Sequence, residues 1–374
     1  MSVKIAFLSA GLGNVSRGFE TSTANWFEAI ENCELLNARL FSGGRYKHAT
    51  RVFNFSRDGL VLSLLRKLRL VHDGCKAEQI TFGVGFLIHI VLFRPQVIWL
   101  QEGVLAQMLL IFRRIFRFKY RILFCDGAPV GHKFADKFDY IMFLHQYAYE
   151  EAIKDGISAS KSIVLPLISN FPAEHINKTD ARHFFNIRPE SFVIICVAAW
   201  NNHHKRINYL LQEVAQIQDK NLKLLLCGQP EKETVSLKET AIELGIDADW
   251  YTLSAADLSL AYSASDLFVL TSINEGLGIV LIEAGAHGLP VICHPHNGGK
   301  FIFGEDYIGL TDLSRPGNLK NKIESFDRPS LEEVGKVTSG IVYEKFGKEK
   351  LTKQFIDLVL KVATNKSVEN KSTN

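Results

Sequence analysis

The chain has 374 residues, with 43 Lys and Arg against 40 Asp and Glu, and 47% of its residues are hydrophobic. That length suits two domains of about 150–200 residues, each with its own core. A net charge of +3 gives no reason to expect nucleic acid as a partner, and six cysteines without a CxxC pair offer no zinc or redox site.

In chain order, Val3-Lys4-Ile5-Ala6-Phe7-Leu8 reads as a strand and is far short of a secretory apolar region, so a cytoplasmic protein is expected. It runs into Ser9-Ala10-Gly11-Leu12-Gly13-Asn14-Val15-Ser16-Arg17-Gly18, a glycine-rich loop leading to a helix near Phe19-Glu20-Thr21. As a dinucleotide fingerprint this loop is weak. Ser16 stands at the third glycine, and no acidic residue ends the next strand near Leu36–Phe41. Gly11, Gly13 and Gly18 would let backbone approach a ligand; a plain strand–helix turn explains them as well. The longest apolar stretch, 80–93, is broken by Gly83, Gly85 and His89 and falls below the ~20 residues of a bilayer crossing, so no spanning helix is expected.

Further strands are expected at Val97–Gln101, Arg121–Cys125, Tyr140–Leu144, Ser162–Pro166, Phe192–Val197, Leu222–Cys227, Leu267–Leu270 and Pro290–His294, with helical patterns between them. Cys125, Cys196, Cys227 and Cys293 fall in or beside these runs and read as small core residues. Leu64–Arg69 and, more densely, Ile111–Arg121 interleave cations with apolar and aromatic residues. Such segments suit an anionic membrane surface, or simply the exposed side of a crossover helix. Cys125-Asp126-Gly127-Ala128-Pro129 ends a strand. Asp126 there would orient a hydroxyl, or form an Asx turn before Pro129. His132 and His145 read as surface or satisfied core residues. The strands form two sets separated near Leu167–Pro172, so the expected domains are 1–170 and 175–340, followed by an amphipathic helix over 341–363 and a polar tail over 364–374.

In the second set, Asn201-Asn202-His203-His204-Lys205-Arg206 makes a basic turn after the leading strand. Most informative is Ser272-Ile273-Asn274-Glu275-Gly276-Leu277-Gly278-Ile279-Val280-Leu281-Ile282-Glu283-Ala284. A strand, a glycine turn and a helix N-terminus make an anion site, because the first helical amides have no internal partner. Glu283 would lie about one and a half turns into that helix, at ~1.5 Å rise per residue. Read alone, the two glutamates would favour a capped helix with one buried, partnered acid.

The segment resembles the glutamate–seven residues–glutamate signature of retaining GT-B glycosyltransferases, in particular glycosyltransferase family 4. Gly288-Leu289-Pro290-Val291 also follows that pattern. The resemblance implies two Rossmann-like doubly wound α/β domains facing across a cleft, with the last helix crossing back to the first domain. It also implies a nucleotide-sugar donor on the second domain. Glu275 would lie beside the donor sugar, Glu283 would bind the ribose, and Gly276, Leu277 and Gly278 would meet the phosphates. Lys205 matches the family's diphosphate lysine, while Trp200 stands where the family has an arginine, leaving Arg206 or His204 to substitute. Asp126 falls where many members carry a histidine, and Gly11, Gly13 and Gly18 match the loop facing the donor sugar. Gly298-Gly299 matches a glycine pair near the phosphates, although Lys300-Phe301-Ile302 follows where a glutamate is common.

With no Asp-x-Asp segment after a strand and no further ligands beside His294 and His296, no metal is expected. No cofactor is expected either, the nucleotide sugar being a co-substrate. The implied activity is retaining, metal-independent transfer to a glycan, lipid-linked or small-molecule acceptor, with peripheral contact at the inner membrane face through 111–121. Two alternatives stand beside it: a non-catalytic nucleotide-sugar-binding subunit, and a GT-B epimerase or hydrolase.

Overall fold

Runs such as Val97–Leu100 and Leu267–Leu270, apolar at every position, suit strands covered on both faces. The computed structural model describes residues 2–15, 18–69, 72–127, 131–169, 171–172 and 176–364, and in it both runs are strands of parallel sheets. Ala128 and Pro129, and the expected tail from 365 on, lie outside the described residues. The chain divides into two units, Met1–Ile168 together with Lys348–Asn374, and Ser169–Gly347.

The first unit opens with β1 (Val3–Ser9), α1 (Gly18–Ile30), β2 (Leu36–Ser42), β3 (Ala49–Arg51), α2 (Leu60–Lys67) and α3 (Gly74–Phe93). It continues with β4 (Val97–Leu100), α4 (Gly103–Phe116), β5 (Arg121–Asp126), α5 (His132–Ala135), β6 (Tyr140–Phe143), α6 (Gln146–Lys154) and β7 (Ser162–Val164). The sheet order is β3-β2-β1-β4-β5-β6-β7. Side chains alternate across it. Ala6, Leu8, Ile98, Leu100, Ile122 and Phe124 share a core with Phe82, Phe86 and Ile90 of α3 and Leu105 and Leu109 of α4. Phe7 and Trp99, one residue out of phase, pack on each other with ring centroids 5.5 Å apart, and Phe7 also meets Phe27 of α1.

The second unit runs α7 (Lys178–Phe184), β8 (Phe192–Val197), α8 (Ile207–Val214), β9 (Leu222–Cys227), α9 (Thr234–Glu243), β10 (Ala248–Tyr251) and α10 (Ala255–Ala264). Then come β11 (Leu267–Leu270), α11 (Ile279–Ala286), β12 (Val291–Cys293), α12 (Asn297–Phe303), α13 (Asn318–Glu324) and α14 (Arg328–Phe346). Its sheet order is β10-β9-β8-β11-β12. Asp266 fixes the head of β11, since its Oδ2 accepts bonds from Arg182 and from the Val193 amide, each 2.7 Å long. Cys125, Cys196, Cys227 and Cys293 are buried strand residues with free thiols.

Three features differ from the sequence reading. The strands β3 and β10 were not expected: the first has only three residues, and the second is half-exposed at all four positions, so neither shows an apolar run. The apolar stretch at 80–93 belongs to a 20-residue helix, α3, that starts at Gly74 because Asp73 caps the Cys75 and Lys76 amides. By length and composition it could cross a membrane, yet its inner face lies in the first unit's core. The helix expected over 341–363 is two helices. The second, α15 (Lys348–Thr364), follows a break at Gly347, where extended backbone ends α14. Its Phe355 stacks on Trp26 at 4.2 Å and tilts against Phe7 at 5.9 Å, within the first unit.

Candidate active site

In the second unit the strand order reverses between β8 and β11, and in open parallel sheets ligands bind outside the strand ends at such a point. Both strands lead here into loops that carry charge. After β8, the buried Asn201 accepts the amides of His204 and Lys205 through Oδ1, at 3.2 and 2.9 Å, curling the basic turn. Thr271, after β11, donates its hydroxyl to the Lys205 carbonyl at 2.7 Å and ties the two loops together. The result is an ion pair: Lys205 Nζ lies 2.5 Å from Glu275 Oε1, and His204 Nε2 lies 3.7 Å from the same oxygen. His204 also donates to the Asn274 carbonyl at 2.9 Å.

Burial pushes the Glu275 carboxyl up, but Lys205 and His204 outweigh it and hold the group below its ordinary value. At neutral pH it is a carboxylate, suited to accept hydrogen bonds from hydroxyls and not to donate a proton. Just beyond it, Gly278 takes φ 80° as the N-cap of α11, a left-handed turn that glycine adopts without strain. The Gly276–Leu277 segment can lie against α12 only because position 298 is glycine. A Cβ there would stand 2.5 Å from the Leu277 carbonyl and 2.8 Å from that of Gly276.

Glu283 sits in the same helix but in a different environment. It borders a pocket of about 400 Å³ whose lining includes Phe171, Pro172, Ala255, Ser259, Tyr262 and His287. The Tyr262 hydroxyl donates to its Oε2 at 3.1 Å. Burial among these groups pushes the Glu283 carboxyl up to about 7, and Tyr262 offsets that only in part. His287 stacks on Tyr262 at 4.9 Å, and burial holds its imidazole below the usual range. Its Nδ1 therefore donates to the Glu283 carbonyl at 2.8 Å, while its Nε2 accepts from the Ser259 hydroxyl at 2.7 Å. Sequence reasoning missed Ser259, Tyr262 and His287, because a tyrosine and a serine in a helix give no pattern of their own.

Arg206 and Trp200 have tasks of their own. The Arg206 guanidinium donates to the Leu313 carbonyl at 2.6 Å and covers the Tyr209 ring at 4.3 Å, while His204 stands beside Glu275. Trp200 is buried edge-on to Trp250 of β10 at 5.2 Å, so its side chain packs the second unit. His294 accepts the Leu313 amide, and His296 caps α12 through the Gly299 amide. Among the described residues no cluster of His, Cys, Asp or Glu is placed to hold a metal ion.

The other expected residues lie in the first unit. Asp126 ends β5, and Gly11 and Gly13 follow β1, so both segments stand beside β4 at the C-terminal edge of the sheet. Two of the glycines stand in close contact with the first unit itself. A Cβ on Gly11 would meet Glu20 Oε1 at 2.3 Å, and one on Gly13, with φ +83°, would meet the Arg45 carbonyl at 2.7 Å. A Cβ on Gly18 would meet nothing within 4 Å, so its surroundings in the first unit do not require glycine. Below the loop, Glu102 accepts the Ala10 amide at 2.8 Å and the Ser9 hydroxyl at 3.3 Å. Burial, then the nearby Glu20, push the Glu102 carboxyl up to about 8. Its signal in the sequence was an acid two residues after the apolar run of β4. His132 pairs with Asp155 at 2.6 Å, and His145 caps α6 by accepting the Ala148 amide.

Residues 177–326 match the family model described as Glycosyl transferases group 1, so the second unit carries a domain of that group. The sulfoquinovosyl transferase SQD2 of Arabidopsis thaliana is 37% identical over 91 residues, 23% of this chain and 18% of that protein. The chain spans less than half the length of the curated relatives it matches, between 18% and 44%. Among solved structures, sucrose-phosphate synthase from Thermosynechococcus elongatus aligns with a TM-score of 0.81 at 16% identity, over 98% of this chain and 100% of that one. Anabaena HepE, solved in complex with UDP and glucose, aligns with a TM-score of 0.75 at 17% identity, over 96% and 99%. At such identities the likeness establishes the fold, which is the GT-B fold of glycosyltransferases, α/β with two parallel sheets.

Proposed function

We propose that this chain is a retaining, metal-independent glycosyltransferase of family 4 type, moving a sugar from a nucleotide-sugar donor to a glycan, lipid-linked or small-molecule acceptor. The observation that carries the reading is the Lys205–Glu275 pair beside the N-terminus of α11. A departing diphosphate needs positive charge and hydrogen-bond donors, which Lys205 and the first amides of α11 supply, with the His204 imidazole beside them. In this reading the diphosphate competes with Glu275 for Lys205, and Glu275 turns its carboxylate to the hydroxyls of the transferring sugar. The Glu283 pocket, within the usual ~300–1,000 Å³ of small-ligand sites, takes the nucleoside, with the carboxylate on the ribose.

The bond between the anomeric carbon and the diphosphate oxygen breaks, and the diphosphate leaves with the electron pair. The acceptor oxygen bonds to that carbon from the same face, and its proton passes to a diphosphate oxygen. The retaining outcome rests on the resemblance of the Glu275–Glu283 segment to its family, and the uridine nucleotide bound by HepE makes UDP-sugars the first donors to try.

Thermal stabilisation against UDP-, GDP-, ADP- and TDP-sugars, with and without EDTA, tests the donor site. A shift with one base that survives EDTA supports the proposal; no shift with any donor removes it. A second reading, a nucleotide-sugar-binding subunit without turnover, is favoured by one observation: Trp200 packs inward and brings no cation to the site. Donor stabilisation without release of nucleoside diphosphate in the presence of acceptor mixtures would select it.

A further inference from the structure

Helix α3 uses one face for the core of the first unit and leaves the other apolar. Its outward positions Ile80, Val84, Ile88 and Leu92 follow one another at four-residue spacing, where a helix facing water carries polar residues. Ile88 and Leu92 are 61% and 72% exposed. The neighbouring helix exposes apolar residues too. Gly83 seats the end of the Met108 side chain, so α3 and α4 pack closely, and Ile111 and Ile115 of α4 are exposed as well. Against α3, α2 and its C-cap add the exposed Leu64 and Leu68. An exposed apolar surface on three adjacent helices marks an interaction site.

Charge says which kind. Between 59 and 119 the chain carries nine Lys and Arg and only three carboxylates, of which Glu78 and Glu102 are buried. Arg66 and Lys67 end α2 and Arg69 follows it, while Arg114 lies in the last turn of α4 and Arg117 and Lys119 follow that helix, all of them exposed. Arg113, by contrast, turns inward to Asp139 and the Tyr120 carbonyl. Apolar side chains flanked by cations, with almost no exposed carboxylate, complement a sheet of anionic headgroups above hydrocarbon. A second copy would bring the same cations to both sides of a two-fold interface, which opposes self-association.

We propose that the outer face of α3 and α4 docks on an anionic lipid bilayer, with α3 lying in the interface plane and its stripe inserted among the headgroups. This surface lies wholly in the first unit and does not depend on the donor reading.

The test is sedimentation of the full chain with phosphatidylcholine vesicles, with and without phosphatidylglycerol, at low salt. Binding should be confined to the anionic vesicles and weaken as salt rises. Arg114→Glu with Arg117→Glu should cut it by about thirtyfold or more, as expected for removing and reversing two charges near an anionic surface. Val84→Ser with Ile88→Ser should abolish it, although these exposed positions leave the melting temperature unchanged. Failure of the wild type to bind anionic vesicles would overturn the proposal. So would sedimentation velocity showing a dimer that Val84→Ser with Ile88→Ser dissociates, which would assign the face to a second copy.

Discussion

Lys205 and Glu275 neutralise each other at 2.5 Å, so their substitutions should read out differently. Lys205→Ala removes the charge that meets the diphosphate, and kcat/KM should fall by about 100-fold, in line with losing one fixed donor to a leaving group. Glu275→Ala frees Lys205. It should leave binding of the nucleoside diphosphate intact or tighter while abolishing transfer, a split that steady-state kinetics beside a binding isotherm would expose. Equal loss of binding in both variants would mean that the pair only holds the loop.

Glu283 gives a pH-dependent prediction. Its carboxyl is raised from 4.5 to about 7, so below pH 4.5 it is neutral whether the chain is folded or not and has no effect on stability. Between about 4.5 and 7 the unfolded chain ionises first, and stability falls with rising pH; above about 7 the penalty is constant. Glu283→Gln should therefore melt like the wild type near pH 4, and increasingly above it as the pH approaches 7, while weakening the donor-induced shift. A thermal midpoint series across that range checks the sign.

At the scale of elements, the loop between β11 and α11 holds its shape through a glycine on another helix. Gly298→Ala would place a methyl 2.5 Å from the Leu277 carbonyl, and that carbonyl cannot retreat without moving Glu275 and Gly278. The expected cost is about 1–3 kcal/mol of stability, with loss of the donor-induced shift. The resemblance in sequence pointed to Gly298 as a phosphate neighbour, and its packing adds a second task, seating the loop that carries Glu275. Elements that bury all their residues, such as β4 and β11, were legible because an apolar run has one economical solution in a parallel sheet. The half-exposed β10 was not, since its pairing with β9 comes from backbone bonds that leave no mark on side-chain type. Trp200 shows the same limit at the site. In sequence it reads as a missing cation, and only its packing on Trp250 shows that the residue faces inward. Arg206 was a candidate by charge, and its bond to the Leu313 carbonyl is a contact that charge alone could not foretell.

At the scale of the whole molecule, the last helix ties the chain's end to its beginning. Phe355 of α15 is fully buried against Trp26 and Phe7, so the first unit's core is complete only with a segment that follows the second unit in sequence. The charge at the donor end, by contrast, comes from Lys205, Glu275 and Glu283, all within Ser169–Gly347. Phe355→Ala should cost about 3–5 kcal/mol, the usual penalty for emptying an aromatic site in a core. That loss falls on the first unit. Calorimetry should show a transition moved to lower temperature in the variant, while the stabilisation produced by a nucleotide-sugar donor persists on the second unit's transition. If the donor effect disappeared with Phe355, the first unit would have to contribute to the donor's binding energy, and placing that site in the second unit alone would be wrong.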